Sequence, residues 1–225
     1  MRTHAPLAIV FDMDGTLLDS ERIAYETFVA ACSRFGLTTE PALYRRCIGT
    51  RGEQTRQVLR AAFGPTFGLD EFWEHWHELY RVHAIEQAVP VKTGAAALLT
   101  LLNARNIPCA VATSTRRENA LRKLANSDLL QFFTFVLGGD EVGESKPHPQ
   151  IYQEAARRLA VSPHDAWAIE DSDAGVRSAF AAGLHVIQIP DLHPPEAEVA
   201  ALGHRIVDSL DDVTALLRGA IERKV

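Results

Sequence analysis

The sequence is short of features that would place it in several broad classes. Cys32, Cys47 and Cys109 are the three cysteines of 225 residues, scattered and without a CxxC pair. So sparse and odd a count excludes a disulfide framework and suits a reducing compartment. No run approaches the ~18 apolar residues of a spanning helix, and Met1-Arg2-Thr3-His4-Ala5-Pro6 has no secretory apolar region. A cytoplasmic protein without a membrane partner is therefore expected. No block of like charge occurs, and the net charge is −6, which argues against a nucleic-acid or anionic-lipid surface. Internal repeats and low-complexity tracts are missing as well. What is present is a 47% hydrophobic composition with 23% charged residues. That suffices for a buried core in one large domain, or in one domain with a smaller insertion.

One stretch organises the rest: Leu7-Ala8-Ile9-Val10-Phe11-Asp12-Met13-Asp14-Gly15-Thr16. Five apolar residues run into two carboxylates. A short apolar run rich in β-branched and aromatic residues reads as a strand buried on both faces, as in a parallel sheet. Open α/β sheets place their ligands at the carboxyl edge of such strands. Residues i and i+2 of extended chain project to the same side, so Asp12 and Asp14 converge, and Gly15 lets the chain turn past them. Paired carboxylates repel unless a cation or shared proton relieves them. Oxygen ligands of this kind suit Mg²⁺, with one Asp free to attack as a nucleophile and the other to handle a proton. An Asp pair also occurs in solvated turns. The apolar strand before it and the Gly-Thr after it argue against that reading.

After Gly15 the pattern turns helical. Ser20 is a plausible N-cap for a helix over 21–35, stopped by Gly36. Further helices are expected over 41–47, 51–63 and 70–88, punctuated by Gly49, Gly52, Gly64-Pro65 and Gly68. Some seventy residues without a strand signal read as an insertion, which divides the chain into a core of 1–18 and 90–225 and a helical domain of 19–89. Within the insertion, His75 and His77 lie on different faces of a helix, whereas Phe72, Trp76 and Leu79 keep the spacing of a core stripe. Bundle packing explains these residues better than zinc. From Thr93 onward helix and strand alternate: strands over 107–112, 133–137, 166–169 and 185–189, a short one at 206–207, helices between them, and a last helix capped by Ser209. This pattern implies βαβ crossovers and a doubly wound parallel sheet.

Three more polar clusters stand at the ends of predicted strands, hence on the same sheet edge as Asp12 and Asp14. Thr113-Ser114-Thr115 offers hydroxyls and free N–H groups to an anion, or ordinary N-capping. Lys146, in Ser145-Lys146-Pro147-His148-Pro149, is held extended by the following proline; it is either a solvated loop residue or a counter-charge to phosphate and aspartate. Glu170-Asp171 leaves a buried strand and again suits Mg²⁺, while Ser172 or Asp173 caps the next helix.

Phe11-Asp12-Met13-Asp14-Gly15-Thr16-Leu17-Leu18-Asp19-Ser20-Glu21 resembles the first motif of the haloacid dehalogenase-like hydrolase superfamily, and the other three clusters follow in that family's order. The similarity is closest to the subfamily with a helical cap after the first motif, which holds β-phosphoglucomutase and small sugar-phosphate phosphatases. It implies a Rossmann-like α/β core with an inserted α-helical cap that closes over the site and excludes water, hinged near 18–20 and 89–93. It further implies that Asp12 is the nucleophile that becomes an aspartyl-phosphate, and that Asp14 is the general acid/base and offers its carbonyl to Mg²⁺. Thr113, Ser114 and Lys146 would bind phosphate, Asp171 the metal, and Glu170 the metal directly or through water. The expected partner is a small phosphorylated metabolite of sugar, polyol or glycolate type, handled by a monomer. Three other activities bear comparison. Mutases of the β-phosphoglucomutase type carry a cap His and Arg where this sequence has Ala24 and Gly52, with Arg51 adjacent, so a phosphatase is favoured. Haloacid dehalogenases lack the second Asp. A non-enzymatic binding module would not need every chemical group to be present. Arg22, Tyr25, Arg45, Arg46 and Arg51 either face the substrate or are solvated.

Overall fold

The protein is described here by a computed structural model, which describes residues 5–47 and 52–222. The chain divides into two compact units, residues 1–19 with 89–225, and residues 20–88.

The first unit is built on a six-stranded sheet of order β3-β2-β1-β4-β5-β6. The strands are β1 (Ala8–Phe11), β2 (Cys109–Ala112), β3 (Phe135–Leu137), β4 (Ala166–Glu170), β5 (His185–Gln188) and β6 (Arg205–Ile206), and every pairing is parallel. Its helices are α5 (Ala95–Ala104), α6 (Arg117–Asn126), α7 (Gln150–Arg158), α8 (Asp173–Ala181), the short α9 (Ala197–Ala200) and α10 (Leu210–Glu222). This is the α/β, doubly wound parallel fold that the alternating pattern predicts. All four residues of β1 are buried to 0% exposure, as a strand covered on both faces must be. Burying Ile9, Val10 and Phe11 contributes about 1.5–3 kcal/mol each. On one face Val10, Ala112, Ala168, Val176, Tyr152 and Val186 share a core cluster.

The strands are shorter than their apolar runs. β2 begins at Cys109 rather than Ile107, because Pro108 has no N–H for a ladder and only its carbonyl joins, accepting from Ile9 N at 3.0 Å. β3 begins at Phe135 rather than Phe133; the Phe133 ring packs edge-on against Phe11, 6.1 Å between centroids, outside the strand. The strand order reverses between β1 and β4, which lie side by side in the register Phe11 with Ile169. That reversal is where doubly wound sheets open a crevice at their carboxyl edge. The segments just outside the second unit also pair. Leu18 bridges Val91 antiparallel, Asp19 N donates to Pro90 O at 2.8 Å, and Lys92 N to Leu17 O at 2.9 Å.

The second unit is helical: α1 (Ser20–Arg34), α2 (Pro41–Arg45), α3 (Gly52–Phe63) and α4 (Leu69–Tyr80). Ser20 is the first residue of α1, so the helix starts one turn position earlier than the sequence suggests. The expected start of the third helix, Arg51, lies outside the described residues. The helix expected over 70–88 ends at Tyr80 and continues as a π-helical turn, Arg81–Glu86. The wider winding sets residues five apart beside one another, and Arg81 pairs there with Glu86 while its guanidinium also forks onto Glu78 at 2.6 and 2.7 Å. Phe28, Tyr44, Leu59, Leu69 and Phe72 are buried at the centre. His75 packs against Phe35, and His77 lies on Trp73 at 4.5 Å between ring centroids. Neither histidine belongs to a group able to hold a metal among the described residues.

Candidate active site

β1 delivers the first carboxylate. Asp12 N continues the ladder by donating to Ile169 O at 2.9 Å, so the Asp12 side chain is placed by the sheet itself and is buried. The loop after β3 and β4 itself bring the rest to it. Lys146 Nζ donates to Asp12 Oδ1 at 2.5 Å, to Glu170 Oε1 at 2.6 Å and to the Ala112 carbonyl, at the end of β2, at 2.9 Å. All three of an ammonium's donors are thus used. The Lys146–Pro147 peptide is cis.

Glu170 is the last residue of β4 and fully buried. Its Oε1 also accepts from Tyr152 Oη at 2.6 Å. Its Oε2 accepts from Asp171 N, Ser172 N and Ser172 Oγ at 3.1–3.3 Å. Both oxygens are therefore turned toward protein donors. Asp171 follows in the turn, where Thr16 Oγ1 donates to its Oδ1 at 3.2 Å. Ser172 caps α8 by accepting from Gly175 N at 3.1 Å. Ligand oxygens of Asp12, Glu170 and Asp171 lie within 4.8 Å of one another. Two of these three carboxylates, Asp12 and Glu170, thus share one ammonium. Burial, the strongest influence, pushes the Asp12 carboxyl up to about 7; Lys146 works against that, and Glu170 and Asp14 add to it. Burial also disfavours the Lys146 charge, but Asp12 and Glu170 outweigh it and hold the ammonium protonated well beyond its ordinary range.

Asp14 stands apart from this trio. Its Oδ2 accepts from Thr115 Oγ1 at 2.7 Å, and its Oδ1 from Lys123 Nζ. Thr113 is buried at the end of β2, and its Oγ1 accepts from Thr115 N at 3.1 Å. Ser114, between them, is exposed. The start of α6 takes its cap from elsewhere: Asp140, beyond β3, accepts from Arg117 N at 2.7 Å. The Thr-Ser-Thr turn is not spent on capping that helix.

The haloacid dehalogenase-like hydrolase family matches residues 9–189. The chain belongs to this family. A phosphorylated carbohydrates phosphatase from Thermotoga maritima is 30% identical over 95% of this chain and 92% of its own. Among solved structures, a HAD family hydrolase from Deinococcus radiodurans with bound phosphate and sodium shares 26% identity and a TM-score of 0.83, with 97% of each chain covered. A CbbY mutant from Rhodobacter sphaeroides in complex with xylulose-(1,5)bisphosphate is 28% identical with a TM-score of 0.71, covering 91% of this chain and 95% of that one.

In this haloacid dehalogenase-like hydrolase the sequence-derived candidates fall into two groups. Asp12, Lys146, Glu170 and Asp171 come together directly, while Asp14 and Thr113 meet through Thr115. Arg22 pairs with Glu26 at 2.9 Å on an exposed face of α1, Arg45 and Arg46 are exposed, and Arg51 lies outside the described residues. Thr16, Thr115, Lys123 and Tyr152 complete the polar network and were not singled out by sequence. Thr115 stood inside a motif already noted. Lys123 and Tyr152 sit on helices where only the fold reveals an inward face.

Two glycines are required by close approach to these carboxylates. Gly15 has φ +83°, and a Cβ there would come within 2.3 Å of Asp171 Oδ2. A Cβ on Gly175 would meet the Glu170 carboxyl at 1.9 Å, and five donors leave that carboxyl no room to retreat. Gly175→Ala is expected to cost about 1–3 kcal/mol as an overpacking substitution and to displace Glu170 from Lys146. Thermal unfolding should show the loss; an unchanged midpoint would mean that the carboxyl moves freely.

Proposed function

We propose that this chain is a Mg²⁺-dependent phosphatase that hydrolyses small phosphate monoesters through an aspartyl-phosphate on Asp12. The observation that carries the reading is the gathering of Asp12, Glu170 and Asp171 at the strand-order reversal, with Lys146 on the first two and Asp14 two residues from Asp12. The relative named for phosphorylated carbohydrates, and a neighbour crystallised with a bisphosphate sugar, support a small phosphorylated metabolite as substrate.

The donor set fits Mg²⁺. Hard oxygen ligands suit it, oxygens of the three carboxylates lie close enough together to share one ion, and burial already resists the charge on Asp12. Asp12, Asp171 and the Asp14 carbonyl would hold the ion, with Glu170 acting through water, since its own oxygens already accept protein donors. Bound there, the ion supplies positive charge to the phosphoryl oxygens.

The residues then divide the work. An Asp12 carboxylate oxygen attacks phosphorus in line, and the bond from phosphorus to the ester oxygen breaks. Asp14 gives its proton to the departing alkoxide. Asp14 then takes a proton from water as the water oxygen attacks phosphorus, and the bond to Asp12 breaks to release inorganic phosphate. Lys146, Thr113 and the Ser114 backbone hold the equatorial oxygens. Residues 20–88 serve as the cap.

Phosphate release from a panel of sugar, polyol and glycolate phosphates tests this reading. Release should require added Mg²⁺, stop with EDTA and return on Mg²⁺ readdition. Formation of glucose 6-phosphate from β-glucose 1-phosphate with a bisphosphate primer, without phosphate release, would assign a mutase instead. Silence on all esters together with no Mg²⁺ binding would indicate a non-enzymatic module.

A further inference from the structure

Lys123 is an anomaly of burial. Its side chain, on α6, has 0% exposure. An ammonium removed from water costs several kcal/mol, and an apolar residue of similar volume is often at least as stable at such a place. Fold stability alone gives little reason for a lysine there. Its ammonium meets Asp14 Oδ1. The other Asp14 oxygen accepts from Thr115 Oγ1 at 2.7 Å. The Asp14 side chain keeps 19% exposure, so the buried lysine does not seal the carboxylate off. Lys146 is committed to Asp12, Glu170 and Ala112. Each aspartate at the end of β1 thus has a buried lysine of its own, supplied by a different element.

The torsion that turns an aspartate carboxyl is broad and roughly two-fold. A donor on each oxygen removes that freedom. Proton transfer needs the carboxyl within hydrogen-bond reach of the reacting oxygen, so a fixed rotamer matters more to Asp14 than to a residue that only adds charge. We propose that Lys123, with Thr115, is a positioning residue for Asp14, fixing the orientation of the carboxylate that Asp14 becomes as its proton passes to the leaving oxygen. This rests on the function proposed above. Lys123 gives up no proton and touches no substrate: the proton passes from Asp14 to the alkoxide as the bond from phosphorus to oxygen breaks, and Lys123 remains an ammonium throughout.

The leaving group separates positioning from a structural tie. An alkyl phosphate releases a poor leaving group that needs the proton, whereas p-nitrophenyl phosphate releases a phenolate that hardly does. The ratio kcat/KM reports the steps up to phosphoryl transfer to Asp12, so the later hydrolysis does not blur the comparison. For Lys123→Met, kcat/KM on the best alkyl ester should fall by about 10²-fold, the lower end of the range for general acid catalysis, and on p-nitrophenyl phosphate by less than about tenfold. The fall should lie in kcat with KM little changed. Lys123→Arg should recover part of the loss, and Thr115→Val should show the same selectivity more weakly. Equal losses on both esters would overturn the proposal and leave Lys123 as a tie between α6 and the β1 loop. If Lys123→Met does not fold, Thr115→Val, at a partly exposed position, carries the comparison alone, with the same two outcomes. If the wild-type protein releases phosphate from no ester, the function proposed above fails and takes this proposal with it; that outcome is distinct from an active enzyme with equal losses.

Discussion

Asp12→Asn should abolish phosphate release, by on the order of 10⁴–10⁶-fold in kcat, as removal of a nucleophile does elsewhere. The substitution is nearly isosteric. Its amide oxygen still accepts from Lys146, and the backbone N–H still donates to Ile169 O, so the sheet edge is unchanged. What disappears is the anionic oxygen that attacks phosphorus. Because burial already disfavours the charge on Asp12, its removal should leave the thermal midpoint unchanged or raise it. Phosphate assay and thermal unfolding on the same sample check both halves. Retained activity would move the nucleophile elsewhere, and a large drop in midpoint would mean that the lost activity reports misfolding.

Lys146→Met should cost stability as well as activity. Asp12 and Glu170 would be left buried and adjacent without the ammonium that now bridges them at 2.5 and 2.6 Å. Removing one partner of a buried charge pair costs about 3–5 kcal/mol. In a chain of this size that is a drop of roughly 6–20 °C in the unfolding midpoint. Loss of one positive group at the transferring phosphoryl should lower kcat by about 10²–10³-fold. The two effects can be separated by a second change. Adding Glu170→Gln to Lys146→Met removes one of the two orphaned charges, so stability should recover in part while activity does not. Full additivity of the two stability losses would show that the charges do not interact.

The parts of this site legible in the sequence were those written in adjacent residues. The Asp12–Asp14 spacing, the Lys146-Pro147 step and the Glu170-Asp171 pair each sit where a buried strand or its loop gives way to polar chain, and such a change of pattern is visible without coordinates. The parallel pairing follows from alternation of helix and strand, and the six parallel strands bear that out; their order is not written in that alternation. Element ends were less legible, because an apolar run marks burial rather than ladder pairing. Ile107 and Phe133 continue their runs without belonging to their strands. Lys123 was not legible: in Leu121-Arg122-Lys123-Leu124 it reads as one of two solvated cations, and only the docking of α6 decides that Arg122 is exposed while Lys123 is buried. Tyr152 was hidden for the same reason. Its hydroxyl meets Glu170 across 18 residues of sequence, a distance no local pattern spans. The winding of 81–86 leaves no mark in the sequence either, since a five-residue pairing such as Arg81 with Glu86 has no signature in a helix-period pattern.

The central claim is that the phosphoryl group passes through Asp12. The most direct measurement is rapid acid quench of the enzyme during turnover of a labelled phosphate ester with Mg²⁺, followed by peptide mapping. The account predicts one phosphoryl group per chain on the peptide that bears Asp12, labile to hydroxylamine as an acyl phosphate should be, and missing in Asp12→Asn. Phosphate release from the wild-type protein with no covalent label at any time, or with the label on another residue, would contradict it.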